Sequence, residues 1–404
     1  MDNRPTRASP LRSKYLVRNG PGFFTVRAMD VIARIVPSPN RPPIVEAPRK
    51  ILITTGGHLG DTVVATSVLP VLKQRFPDVR IGMATGSWSD IVLKSHPAIE
   101  WIHHVDHWKV NRSGSSLPSR IKAYRRSVGK AISEVSAVGY DVAIDLYPFF
   151  PNFSWFLWKS RIPVRVGYES GGLGRLYTHA LSWVDSDRHT TAYHLDLLRV
   201  LDGLVQTDAL RPHLAPIAPT TREHVRRQLA SPDDYLVLHP GSGSALKEWE
   251  EIKWRALAEG LIERGAQLVF TGANAAETDR IGRITEGLSG CLNLSGRLHW
   301  DEFRAVVEGA KAVICVDSVI GHLASAAGTP CLVLMAGMSN SNHWRPAGRN
   351  SRVLSQPLPC SPCYLSRGCE SMECIRGIGV GQVLETLDMM LGNAASSLPR
   401  AGQS

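Results

Sequence analysis

From Tyr235 onward the chain repeats one pattern: a short apolar run, rich in β-branched residues, that stops at small or polar residues. The runs are YLVLHPGS, AQLVFTG, CLNLSG, AVICVDS and PCLVLMAG. Continuous rather than alternating hydrophobicity suits strands buried on both faces, the condition of a parallel sheet. Apolar residues at helical spacing fill the intervals, over residues 252–264, 277–288, 300–309 and 321–327. Strands and helices alternating in this way predict an open, doubly wound α/β sheet, whose ligand crevice lies beyond the carboxyl ends of the strands. Residues 239–243, Gly272, Asp317 and Ser318 fall at those ends.

The first half follows the same grammar. The segment ILITTGGHLGDTVVATSVLPVLKQRFPDVRIGMATG, residues 51–86, reads as strand, glycine turn, helix and strand, with Val64, Val68, Leu69 and Leu72 at helical spacing. Further strands are expected at 101–105 and 142–146, around a basic helical stretch at 121–138. Gly56, Gly57 and Gly60 would let the backbone turn tightly and approach a ligand, with the N–H groups of the helix start facing it. Their spacing is neither the G-x-G-x-x-G of dinucleotide folds nor a loop ending in G-K-[ST]. Two readings of Asp61 are open: a first-turn acid that stabilises the helix dipole, or a carboxylate with chemistry to perform.

A polar, proline-bearing stretch at 203–232 marks a boundary, giving an expected organisation of an arm at 1–49, domains at 50–215 and 216–390, and a flexible tail at 391–404. A chain of 404 residues has room for two such cores. The formal charge of +10 is unevenly placed. Residues 1–50 hold ten Arg and Lys against Asp2, Asp30 and Glu46, a net of +7, which leaves +3 for the rest. The basicity belongs to the arm, so the body is not expected to bind nucleic acid.

Within the arm, GFFTVRAMDVIARIV predicts a helix over residues 23–36, with Arg27, Asp30 and Arg34 in one arc and apolar residues around the rest. Two placements are open: in a membrane interface beside anionic headgroups, or docked on the protein. PSPNRPPIVEAP follows as a proline-rich linker. Polar residues interrupt any secretory h-region, and no apolar run approaches the ~18 residues of a membrane span.

Of the seven cysteines, Cys291, Cys315 and Cys331 sit in strand-like runs as core thiols. Cys360, Cys363, Cys369 and Cys374 crowd into CSPCYLSRGCESMEC, where reduced thiols in a structural loop, a disulfide and a metal site are all open. This loop is expected to lie away from the crevice.

Taken together, GGHLGDTVVATSVLPVL, HPGSGSALKEWE, FTGANAAE, CVDSVIGHLASAAGTP, and HWRPAG followed by CSPC occur in the order found in glycosyltransferase family 9, the ADP-heptose:lipopolysaccharide heptosyltransferases. The chain resembles that family over residues 50–385. The resemblance implies a GT-B architecture: two Rossmann-like doubly wound domains facing across a cleft, acceptor domain first and donor domain second. It implies inverting transfer of a sugar from a nucleotide-sugar, ADP-heptose being the expected donor, with no cofactor or metal required. The implied acceptor is a lipopolysaccharide core or another lipid-linked oligosaccharide; the expected location is the cytoplasm, with a peripheral place on the inner face of the inner membrane left open by the basic arm. Asp61 matches the family's L-G-D acid, proposed as general base. Lys247 matches a donor-phosphate lysine, and Asp317 and His322 match the donor-site D-[ST]-x-x-x-H, which includes Ser318.

The chemistry agrees with these assignments. Inverting transfer needs the acceptor hydroxyl deprotonated as it attacks and the leaving diphosphate neutralised. A carboxylate at Asp61 suits the first task. Lys247 and the N-terminus of the helix after Asp317 suit the second, while Asp317, itself negative, suits sugar hydroxyls or loop orientation. Glu277 would reach the nucleotide ribose or act as a first-turn acid. Ser242 and Ser244 are phosphate ligands or turn serines, and Trp344 flanks the base or packs in the core. Acceptor contacts are expected from first-half loops, including RSGSSLPSR and GYESGGLGRLYTH. The sequence departs from the family after Asp317-Ser318, where Val319 and Ile320 replace the usual glycine-containing pair, and this bears on the donor sugar. Three alternatives remain: a transferase for another donor sugar, a non-catalytic nucleotide-sugar or glycan binder, and a metal-dependent transferase of the other common fold, suggested by Asp185 and Asp187.

Overall fold

The computed structural model describes residues 14–16, 20–37, 41–184, 186–201, 203, 210–229, 234–365 and 367–396. The chain divides into two compact units between Ala215 and Pro216.

The first unit is built on β1 (Lys50–Thr54), β2 (Arg80–Thr85), β3 (Ile99–His104), β4 (Val142–Asp145), β5 (Val164–Tyr168) and β6 (His179–Leu181). They form one sheet in the order β3-β2-β1-β4-β5-β6, every pair parallel. The apolar runs of β4 and β5 are buried along their whole length, as covered parallel strands must be. The basic stretch before β4 becomes the helix Leu117–Val138, with proline in its first turn and Gly139 at φ +67° closing it. Its inner stripe is Val128, Ala131 and Val135.

The second unit repeats the plan. Its strands are β7 (Tyr235–His239), β8 (Gln267–Phe270), β9 (Cys291–Asn293), β10 (Ala312–Val316), β11 (Cys331–Leu334) and β12 (Ser351–Leu354), ordered β12-β11-β10-β7-β8-β9 and all parallel. Counted from its own first strand, this is the winding of the first sheet. In each sheet the order reverses between the first and fourth strands, β1 and β4 or β7 and β10, so the carboxyl ends of those strands bound a crevice. The core of this unit gathers Trp249, Trp254, Phe270, Ile281 and Leu387.

The last helix runs Val380–Ser396, past the expected domain end at residue 390, because Leu391 extends the apolar stripe of Val383, Leu384 and Leu387 onto that core. Residues 397–404 of the expected tail lie outside the described residues.

The arm's helix forms as Gly20–Ile32 followed by a 3-10 turn, Ala33–Ile35. It docks on the first unit: Phe23 and Val26 bury with Tyr15 against Phe150. Asp30 accepts hydrogen bonds from Tyr15 Oη (2.6 Å) and from the Leu173 backbone N–H, and pairs with Lys14 at 3.3 Å. Gly172, at φ +85°, faces Val26 so closely that a Cβ would stand 2.6 Å from Val26 Cγ1. The GYESGGLGRLYTH segment therefore seats the arm, a role not expected from sequence. No described helix is long and apolar enough to cross a membrane.

Candidate active site

In the first unit the glycine turn follows β1 at the sheet's reversal point. Asp61 sits in the first turn of the helix Leu59–Ala65, half-buried, and its Oδ2 accepts the His58 N–H at 2.7 Å. The capping role weighed from sequence is therefore real. Gly57 makes room for this carboxylate, and Gly56 for the loop that follows β4. A Cβ on Gly57 would lie 2.2 Å from Asp61 Oδ2, and one on Gly56 would lie 2.8 Å from the Pro151 carbonyl oxygen. The Gly57 carbonyl is taken by Trp88 Nε1 at 3.2 Å. Of the loop N–H groups, that of His58 is answered within the protein by Asp61.

Facing Gly56 is the loop of residues 146–153 after β4, held by a residue that sequence reasoning missed. Asp145 is fully buried at the end of β4 and accepts hydrogen bonds from Phe153 N (2.7 Å), Tyr147 N (3.2 Å) and Tyr177 Oη (2.6 Å). Burial pushes its carboxyl up to about 6 against the opposing pull of these donors. Its signal was legible in retrospect: an acid ends the apolar run VAID at a crevice strand. The loop so fixed puts Tyr147 against Gly56 and near Asp61; burial foremost, and then the negative charge of Asp61, raises the Tyr147 phenol above its ordinary value.

In the second unit the predicted residues converge on the ends of β7, β8 and β10. Lys247, in the 3-10 turn Ala245–Lys247, pairs with Asp317 at 2.6 Å. Ser318 begins the helix Val319–Ala327 without capping it through its side chain, and its buried Oγ has no hydrogen-bond partner among the described residues. His322 is buried one turn further along. An unanswered hydroxyl and first-turn amides with no side-chain cap, next to a lysine, suit an anionic ligand such as a diphosphate. Val319 and Ile320, where the family usually places glycine, lie in this first turn, with Ile320 fully buried.

Other predicted residues are partly committed elsewhere. Ser242 Oγ donates to the Ser244 carbonyl (2.9 Å) and accepts the Ser244 N–H (3.0 Å), so it closes its own turn. The Ser244 carbonyl accepts the Lys247 N–H. Glu277 caps its own helix, Ala275–Thr285, accepting the Ala273 N–H at 2.6 Å while its N–H goes to Asn274 Oδ1. It also lies between Gly241 and Gly272, whose hydrogens leave the space its side chain fills. His239 ends β7 hydrogen-bonded to Thr271 Oγ1, and burial lowers its imidazole to about 4. Trp344 is half-buried at the end of the short helix Ser341–Trp344.

Sequence reasoning also missed Arg280, a buried cation that pairs with Glu248 at 2.6 Å and donates to the Trp249 carbonyl. It thereby braces the residues that follow Lys247, while Trp249 Nε1 donates to the Ile378 carbonyl.

The cysteine loop was expected to lie away from the crevice, and here the structure corrects the reading. Gly368 abuts Leu246, the neighbour of Lys247, and the Cys363 and Tyr364 N–H groups donate to the Gly337 and Met338 carbonyls beyond β11. Parallel strands deliver every following loop to the same edge, and the cysteine loop is pinned there. All seven cysteines are free thiols, and among the described residues no group of three His, Cys, Asp or Glu side chains could hold a metal ion. Of the D-x-D pair, Asp185 lies outside the described residues.

Comparison with known proteins follows the same lines. The model of glycosyltransferase family 9 (heptosyltransferase) matches residues 125–373. Lipopolysaccharide heptosyltransferase 3 of Escherichia coli K12 is 27% identical over 306 residues, 72% of this chain and 83% of the relative. Lipopolysaccharide heptosyltransferase 1 of Pseudomonas aeruginosa is 38% identical over 147 residues, 36% of this chain and 41% of the relative. Among solved structures, E. coli ADP-heptose lps heptosyltransferase II superposes with a TM-score of 0.65 at 20% identity, covering 86% of this chain and 99% of that one. E. coli heptosyltransferase WaaC with ADP gives 0.64 at 18% identity, covering 84% and 99%. The paired six-stranded parallel sheets are the GT-B fold of these structures, which sets aside the metal-dependent transferase fold. Since the family model spans more than half of a chain that carries this fold, the chain belongs to glycosyltransferase family 9, the heptosyltransferase family, and is a glycosyltransferase.

Proposed function

We propose that the enzyme is an inverting transferase that moves a heptose from ADP-heptose onto a lipopolysaccharide core or related lipid-linked envelope glycan at the inner face of the inner membrane. The observation that carries this reading is the end of β10, where Lys247, a Ser318 hydroxyl with no partner among the described residues and a helix start with no side-chain cap gather in one place. A diphosphate arriving there would exchange the Lys247–Asp317 pair for a Lys247–phosphate contact and release Asp317 towards sugar hydroxyls. Ser242 and Ser244 shape the neighbouring turn, His322 lies behind the helix start, and Glu277 is assigned the ribose. Asp61 takes the acceptor proton as the hydroxyl attacks C1, and no metal or cofactor is assigned a step. The names of the relatives support heptose as the sugar, and that of the WaaC structure supports an adenine nucleotide.

Thermal stabilisation by a panel of nucleotide-sugars tests the donor. A ligand at about 100 times its Kd stabilises the folded state by about 2.7 kcal/mol. ADP-heptose is expected to raise the melting temperature, and ADP to do so more weakly. Stabilisation by a uridine or guanosine donor alone would transfer the reading to another sugar nucleotide. Stabilisation by ADP-heptose without transfer or hydrolysis would point to the non-catalytic reading.

A further inference from the structure

Docking of the arm helix sorts its residues in a way the sequence does not show. Placed at about 100° per residue, Phe24, Val31 and Ile35 fall within roughly 40° of one another, with Ala28 and Ile32 on one side and Arg27 and Arg34 on the other. This ridge faces away from the protein: Phe24 is 65% exposed, Val31 53%, Ile32 64% and Ile35 83%. Arg27 and Arg34 are exposed and make no ion pair among the described residues. The helix's one acid, Asp30, lies next to the arginines on the helical wheel but is turned into the body, where it binds Tyr15, Lys14 and the Leu173 N–H. The outward face is therefore apolar along its ridge, cationic along one edge and free of acid.

We infer that this face is a docking surface for an anionic lipid bilayer, with Phe24, Val31, Ile32 and Ile35 entering the interface and Arg27 and Arg34 meeting the headgroups. Charge argues for this occupant: residues 1–50 carry a net of +7. A water-facing helix would not keep four large apolar side chains exposed in line, and a second copy of the chain would bring the same positive charge against itself. The contact is also tied to the site. The docked side of the helix rests on Phe150, in the loop that Asp145 fixes and whose Pro151 carbonyl packs on Gly56. Arg175 Nε closes the end of the arm by donating to the Val36 carbonyl at 2.9 Å. A bilayer bound here lies against the unit that carries Asp61, which suits a lipid-linked acceptor. Lipid binding itself does not depend on the donor or acceptor reading.

The test is flotation of the full chain with vesicles of phosphatidylethanolamine and phosphatidylglycerol, and with vesicles of phosphatidylcholine alone. The wild type is expected to float with the anionic vesicles and to detach as salt is raised. Arg27→Glu with Arg34→Glu should weaken binding about fivefold or more for each residue, the value of one basic residue near an anionic surface. Phe24→Ser, Ile32→Ser and Ile35→Ser together should weaken it by about tenfold or more, because the buried apolar area is lost. All of these positions point outward, so melting temperature and transfer to a soluble acceptor should stay at the wild-type level. Equal binding by wild type and variants, or equal binding to both kinds of vesicle, overturns the inference. So does a dimer in solution that the triple serine variant dissociates while neither protein binds vesicles.

Discussion

Replacing Asp61 with asparagine separates the two tasks its carboxylate performs. In the structure Oδ2 holds the His58 N–H at 2.7 Å. An asparagine oxygen can still accept that bond, so the structural loss is the charge–dipole part, about 0.3–1 kcal/mol at a helix start. For a unit of this size 1 kcal/mol moves the melting temperature by about 2–4 °C, so a shift of at most about 4 °C is expected. Loss of a general base costs far more where it counts: turnover is expected to fall by about 10²- to 10⁴-fold with donor affinity nearly unchanged. Gly57→Ala is the companion variant. Its Cβ would stand 2.2 Å from Oδ2 and push the carboxylate aside without altering its chemistry, so turnover should fall again while donor binding holds. The assay is single-turnover transfer beside calorimetric donor binding and a thermal scan. If Asp61→Asn keeps turnover within about twofold of wild type while losing the expected few degrees, the carboxylate is a helix cap and the catalytic assignment is wrong.

Lys247→Ala removes the cation assigned to the diphosphate, so donor Kd by calorimetry should rise about 10- to 100-fold, as for a charged hydrogen bond, and turnover should fall with it; an unchanged Kd would refute that role. Arg280→Ala leaves Glu248 without its 2.6 Å partner and should cost about 3 kcal/mol, the low end for a buried pair because Glu248 keeps part of its water, read from denaturant unfolding. Acid should destabilise the protein. Burial lowers His107, His194 and His239 to about 4, about 3 and about 4 from an ordinary 6.5, so the unfolded chain binds more protons in that window, and the stability each contributes is full above pH 6.5 and is lost as pH falls through the folded values. Asp145, raised to about 6 from 3.8, acts in the opposite sense, its contribution present at low pH and lost as pH rises through 6. With three such histidines against one such acid, the melting temperature should drop between about pH 7 and pH 5, and His194→Gln should flatten the drop; a melting temperature that rises on acidification would refute this balance.

What the sequence determined by itself is whatever depends on near neighbours along the chain. Apolar runs such as AVICV and helical stripes such as Val128–Ala131–Val135 are local patterns, and a parallel sheet buries its strands whatever their order. Because such sheets deliver the following loops to one edge, Asp317 and Ser318 could be placed at the strand ends from the pattern alone, whereas Lys247 and the role of Asp61 came from the resemblance to the family. The strand order and the partner of each polar group were decided by the fold. Lys247 pairs with Asp317, Glu248 with Arg280, Asp145 with Tyr177, and Asp30 with Leu173, all residues far apart in the chain. Periodicity carries no record of such partners, because a charge on a helical wheel reads the same whether it faces water or a buried amide. Asp30 is the clearest instance. In sequence it belongs to a mixed polar stripe with Arg27 and Arg34, and only the tertiary contact with Leu173 withdraws it and leaves the outward face cationic and apolar. The same reason hid the cysteine loop's position, since its approach to Leu246 depends on where β11 stands in the sheet.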